Sequence, residues 1–171
     1  MNGNHGGNIP LQTYISILMQ RPDGIANIQG SKEYAGIRGQ VRFYQAPNGV
    51  LVFADITGLP VPSGKCQSPF FAFHIHSGGQ CTGNESDPFA NAQGHYNPQN
   101  CLHPHHAGDL PPLLGNRGRA LQVFLTDRFS VREVIGKTVI IHSGPDDFTS
   151  QPAGNAGAKI ACGEIRGTRS R

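Results

Sequence analysis

"QVRFYQAPNGVLVFADI" (residues 40–56) decides the fold class. Two short runs rich in Val, Phe, Leu, Tyr and Ile flank "APNG" (46–49), a turn signal, so the stretch reads as a β-hairpin. The same pattern of short β-rich runs between Gly, Pro and Asn continues in both directions. Upstream lie "GIANIQG" (24–30) and the beginning of "GIRGQVRFYQ" (36–45). Downstream lie "FFAFHIH" (70–76), "ALQVFLT" (120–126), "KTVIIH" (137–142) and "KIACGEI" (159–165). Regularly punctuated short strands predict an all-β sandwich or barrel. "SVREVIG" (130–136) has room for one helical turn.

Composition agrees. The chain has 171 residues, 23 glycines, 13 prolines and no tryptophan, which favours turns and long loops over helices in one domain with a real core. Residues 1–22 read as a polar N-terminal tail with one apolar patch, residues 23–166 as the domain, and residues 167–171 as a frayed C-terminal tail. A formal charge of +3 without a Lys/Arg run argues against a nucleic-acid face. No stretch has the length of a transmembrane segment. "YISILMQ" (14–20) lacks the flanks of a signal peptide, which suggests a cytoplasmic location. Four cysteines in a loop-rich chain instead suggest disulfides and an oxidising or extracytoplasmic one, so the localisation stays open.

The chemistry is concentrated in the histidines. In "FHIH" (73–76), strand alternation puts His74 and His76 on one face, about 6–7 Å apart. Such pairs also arise freely in strands, so the rest of the chain has to decide. Between Ser77 and Gly118 runs a long segment with little strand character, and loops of that length are commonly functional. It holds "GHYNPQNCLHPHHAGD" (94–109), with His95, His103, His105, His106 and Asp109. A second long loop, "SGPDDFTSQPAGNAGA" (143–158), begins directly after His142. Of eight histidines only His5, in a Gly/Asn tail, lies apart, which makes chance clustering a poor explanation. Neutral imidazole suits zinc, copper, iron and nickel, and seven histidines with a carboxylate exceed the needs of one ion. Two adjacent sites are therefore expected.

The order "HIH", Cys, "GHYNP", "HAGD", "VIIH", "DD", "GNAGAKIACG" over residues 24–166 resembles the copper/zinc superoxide dismutases, in the bacterial type with a short zinc loop. The resemblance implies an eight-stranded Greek-key β-sandwich or barrel, immunoglobulin-like, with two long functional loops. It implies copper held by His74, His76, His95 and His142, and zinc held by His95, His103, His106 and Asp109, His95 bridging the two ions. The family's final zinc motif, His-x-Gly-Asp, fits His106–Asp109 and leaves His105 one position out of register. Asp146 matches the carboxylate that hydrogen-bonds a copper histidine and a zinc histidine together. Cys81 and Cys162 match the family's disulfide. The activity implied is dismutation: one superoxide reduces copper and leaves as oxygen, and a second reoxidises it and leaves as hydrogen peroxide. His95 then passes on a proton.

This chain departs from that pattern at three places. Only Pro104 and His105 separate His103 from His106, where many relatives have a longer excursion, which makes His105 a substitute ligand to be tested. Lys159 stands where the family usually has an arginine facing the copper channel. Lysine keeps the charge that draws in an anion but loses the planar fork, so an active, slower enzyme is the expectation. Cys66 and Cys101 are additional, and a second disulfide between them is the preferred reading, with free thiols or a metal-competing Cys101 as alternatives. A non-catalytic copper/zinc-binding module of the same fold is the main rival function; loss of a copper histidine would favour it, and all four are present. A cupin-type mono-metal enzyme also starts from HxH, but needs a nearby glutamate, and none follows before Glu85. The one partner expected is the small anion superoxide, with no nucleic acid; monomer and homodimer are both left open.

Overall fold

The structure, a computed structural model, describes residues 9–64 and 69–168. Its strands are β1 (Gly24–Gly30), β2 (Arg38–Ala46), β3 (Gly49–Thr57), β4 (Phe70–Phe71), β5 (Phe73–His76), β6 (Leu113–Leu114), β7 (Arg119–Thr126), β8 (Thr138–His142) and β9 (Lys159–Gly167). Seven of them form one curled antiparallel sheet in the order β5-β8-β9-β1-β2-β3-β7, and β4 pairs with β6. β4 runs on into β5 at one sheet edge, and β6 precedes β7 at the other. The short pair thus links the two edges, as expected of a Greek-key barrel.

The opening hairpin pairs in register from Arg38↔Thr57 to Ala46↔Gly49. At its turn, Gly49 has φ 143°, and a Cβ there would lie 2.4 Å from the Thr126 carbonyl oxygen, so only glycine fits. The inward residues of the strands, among them Ile28, Val41, Phe43, Val52, Ile56 and Phe73, fill a single large core. Burying such side chains stabilises the fold by about 1.5–3 kcal/mol each.

Two features differ from the sequence reading. Leu11–Leu18 forms an α-helix, α1, within the segment expected to be a polar tail. Its apolar residues recur at Leu11, Tyr14, Ile15 and Leu18, a helical spacing spread over only two turns. A helix so short is marginal alone; the Tyr14 hydroxyl donates to Asn48 Oδ1 (3.0 Å) in the β2–β3 turn and ties it to the sheet. The run "FFAFHIH" is broken at Ala72, which divides it between the two sheets. "SVREVIG" does form one turn, α2 (Val131–Val134), started by a capping box between Ser130 and Glu133. Among the described residues, no helix is long and apolar enough to cross a membrane.

Candidate metal centre

β5 is the dock for the first long loop. The Ile75 N–H donates to the Gly108 carbonyl and its own carbonyl accepts the Tyr96 N–H, both at 2.8 Å. These bonds set His95 beside His76 and Asp109 beside His74 across antiparallel bridges. A Cβ on Gly108 would lie 2.2 Å from the Ile75 oxygen, so the glycine of "HAGD" is required by that approach. On the other side of β5, β8 aligns Ile140 with His74 and Thr138 with His76. A bulge between Ile141 and His142 turns the last residue of β8 inward, and the His142 N–H donates to the Ala72 carbonyl at 2.9 Å.

Two groups of side chains result, each with its ligand-type atoms within 4.8 Å of one another: His74, His76, His95 and His142, and His95, His103, His106 and Asp109. The rings of His74 and His76 are 6.4 Å apart, the same-face spacing expected of HxH on a strand. His95 belongs to both groups, its ring centre 4.0 Å from that of His74 and its Nδ1 2.7 Å from Asp109 Oδ1. Asp109 Oδ2 lies 3.1 Å from His103 Nδ1 and 3.3 Å from His106 Nδ1.

Four of the rings are hydrogen-bonded at the edge turned away from the clusters. Asp146 Oδ2 is 2.8 Å from His74 Nε2 and its Oδ1 is 2.9 Å from His103 Nε2, joining the two groups. The carbonyls of Gln93 and Gly157 accept from His76 Nδ1 (2.6 Å) and His142 Nδ1 (3.1 Å). That fixes both tautomers with Nε2 as a free lone pair. His74 Nδ1, His95 Nε2 and His103 Nδ1 are buried with no hydrogen-bond partner. Buried polar atoms are rarely left unpaired, and imidazole nitrogens so arranged fit copper and zinc.

The electrostatics suit ligation as well. Burial, then the neighbouring His95 and His142, pushes His74 down to about 2, and burial brings His142 to about 4. His76 lies well below its ordinary value, again through burial first. These rings are therefore neutral at pH 7, the form that binds metal. Burial opposes ionisation of Asp109, but the bond to His95 prevails and holds it below the usual carboxylate range.

Side chains that sequence reading missed hold the loops in place. Arg128 Nη1 donates to the carbonyls of Pro104 (3.2 Å), His106 (3.3 Å) and Asp109 (3.0 Å), clamping the turn that carries the second group. Gln151 makes two bonds to the backbone of His103, accepting its N–H at 3.1 Å and donating to its carbonyl at 2.8 Å. Neither residue belongs to a motif, and their partners lie 19 to 24 residues away for Arg128 and 48 for Gln151. His105 is exposed and joins neither group. Lys159 lies at a cleft of about 610 Å³ that His76, His95 and His142 also line. Cys81 and Cys162 form a disulfide across 81 residues of chain. Cys101 is half-buried and forms no disulfide among the described residues, whereas the expected pairing of Cys66 with Cys101 falls on Cys66, which lies outside the described residues, as does His5.

Comparison with known proteins places this geometry. The family model for copper/zinc superoxide dismutase matches residues 37–165. The chain belongs to this family. A "Superoxide dismutase [Cu-Zn] 2" of Aquifex aeolicus is 39% identical over 143 residues, covering 75% of this chain and 78% of that protein. The "Superoxide dismutase [Cu-Zn]" of Legionella pneumophila is 36% identical over 137 residues, covering 75% and 77%. The solved Cu/Zn superoxide dismutase from Brucella abortus superposes with a TM-score of 0.68 at 26% identity, covering 82% of this chain and 97% of that one. The dismutase family's cofactors, copper and zinc, match the donor chemistry of the two histidine groups.

Proposed function

We propose that this chain is a superoxide dismutase, an oxidoreductase converting two superoxide anions and two protons to oxygen and hydrogen peroxide. The observation that carries the reading is the pair of donor groups sharing His95, with unpartnered nitrogens buried in both. His74 Nδ1 and the Nε2 atoms of His76, His95 and His142 would hold copper. His95 Nδ1, His103 Nδ1, His106 Nδ1 and an Asp109 oxygen would hold zinc. Bound copper supplies a one-electron couple, and bound zinc a fixed positive charge on the far side of His95.

The protein's own part is positioning and proton handling. Asp146 orients one ring in each group and so keeps their relative placement. His95 Nε2 is buried at the base of the cleft, and the ring is anchored through Nδ1 to Asp109. It is thus the atom placed to hold a proton for the peroxide product. Lys159 brings positive charge to the cleft and attracts the anion.

The test combines elemental analysis with a superoxide-decay assay before and after copper loading. His74→Ala should lose copper and activity while keeping most of its zinc. Near wild-type turnover in that variant would overturn the copper assignment.

A further inference from the structure

Lys159 is not a free cation. Its ammonium lies 2.6 Å from Asp87 Oδ2 and 3.2 Å from the Phe89 carbonyl oxygen. An ammonium has three N–H donors, so two are committed to one loop and one is left for an anion. The lysine side chain is 17% exposed and the aspartate 38%, so the pair sits at the rim of the cleft lined by His76, His95 and His142. Resting on the reading of Lys159 as the residue that attracts superoxide, we propose that Asp87 is a second determinant of substrate entry. Its carboxylate aims the ammonium and cancels much of its field, so the arriving anion meets a nearly neutral pair.

The loop around Asp87 is built to present that carboxylate in one place. Asp87 Oδ1 accepts the Phe89 N–H at 3.0 Å, and Asn84 Oδ1 accepts the Ser86 and Asp87 N–H groups at 3.0 and 2.9 Å. The Cys81–Cys162 disulfide joins this loop to β9, the strand that begins at Lys159, so both charges ride on one covalently linked unit. Burial works against ionisation of Asp87, but the Lys159 bond and the Phe89 N–H hold it below the usual range, so its charge is present at neutral pH. A guanidinium would carry its own planar fork, whereas an ammonium is a point charge whose donors must be aimed by its partners. Asp87 is therefore a positioning residue, and the aim it provides comes with a weaker long-range pull.

Superoxide decay by the copper/zinc-loaded protein, measured over a range of salt, tests this with wild type, Asp87→Asn, Lys159→Met and the double variant. Metal content and melting temperature serve as controls. Asn keeps an oxygen for the Phe89 N–H; Asp87→Ser, which also does, repeats the test if Asn does not fold. Asp87→Asn should be about threefold faster at low ionic strength, with a steeper salt dependence. It should converge on wild type near 1 M salt, where the Debye length is about 3 Å. The double variant, with the net charge of the wild-type pair, should regain the wild-type salt slope while staying slower. If Asp87→Asn keeps the wild-type rate and slope while Lys159→Met is slow, the proposal falls and the reading of Lys159 stands. If Lys159→Met itself matches wild type in rate and slope, that reading falls, and the proposal with it.

Discussion

Replacing Gly154 by alanine attacks the link between the two histidine groups without replacing any of their residues. A Cβ at Gly154 would lie 2.1 Å from Asp146 Oδ1 and 2.7 Å from His103 Nε2. Restoring an ordinary contact of 3.4 Å from 2.1 Å displaces the carboxylate by about 1.3 Å. Its bonds to His103 (2.9 Å), His74 (2.8 Å) and the Phe148 N–H (2.7 Å) cannot all survive that shift. Losing one or two hydrogen bonds to a charged group costs about 1.5–3 kcal/mol each. The backbone at φ 68° adds roughly 1 kcal/mol for a residue with a Cβ. A total of about 3–5 kcal/mol lowers the melting temperature by about 8–15 °C in a chain of this size. Because Asp146 orients His103 as well as His74, zinc affinity should fall by about 10–100-fold. Calorimetry of the loaded protein and chelator competition for zinc measure both effects. Gly36→Ala, whose Cβ would meet nothing within 4 Å, is the control. A Gly154→Ala protein that melts close to the control and binds zinc as tightly would refute the argument that the loop is closed around Asp146.

Asp109→Ala should lower zinc affinity and melting temperature far more than His105→Ala, because Asp109 touches three histidines and His105 is exposed. Equal losses in the two variants would mean that the loop is held differently. Removing the disulfide with Cys81→Ser and Cys162→Ser together should cost about 4 kcal/mol, given the 81-residue separation. Denaturant unfolding checks it, and a change below about 1 kcal/mol counts against a loop-closure role. The metal-free protein should lose stability as pH falls below about 6.5, since His74, His76 and His142 stay neutral when folded but take up protons when unfolded. The loss is about 2 kcal/mol each for His74 and His142 by pH 5, with His76 adding in the same direction, and His142 stops contributing near pH 4. A melting temperature unchanged between pH 7.5 and 5 would contradict it. Arg128→Met should loosen zinc more than copper, since it removes the one nitrogen that bonds the carbonyls of Pro104, His106 and Asp109 around the second group; metal titration decides.

The strands were legible because period-two runs and turn residues are local signals. β1, β2, β3, β7, β8 and β9 lie close to where alternation and the Gly/Pro/Asn punctuation put them. The histidines' concentration on one strand and two loops pointed to two sites, and the resemblance to the copper/zinc superoxide dismutases singled out His74, His76, His95, His103, His106 and His142, which the structure groups together. What stayed hidden depends on the third dimension. Arg128 sits in a turn with no motif of its own, and only the path of the β7–α2 connection brings it under the loop. Gly154 looks like one loop glycine among many until the fold closes Asp146 against it. Asp87, in "ESDPFA", reads as a turn former, and its bond to Lys159 spans 72 residues. α1 escaped because a two-turn amphipathic period is indistinguishable from an apolar patch until a sheet lies beneath it.

These hidden residues share a physical task. Burying neutral imidazoles with unpaired nitrogens costs folding free energy in the absence of metal, and the sheet supplies only part of the compensation. β5 and β8 fix His74, His76 and His142 through strand pairing. The other half of the site comes from loops, which have no ladder of their own and would otherwise sample many conformations. Arg128, Gln151, Asp146 and the backbone bonds of Ile75 stand in for that ladder. Because Asp146 and His95 each reach both groups, disorder in the loop half is transmitted to the strand half. The centre is therefore one cooperative unit, in which a substitution that frees His103 also alters the environment of His74.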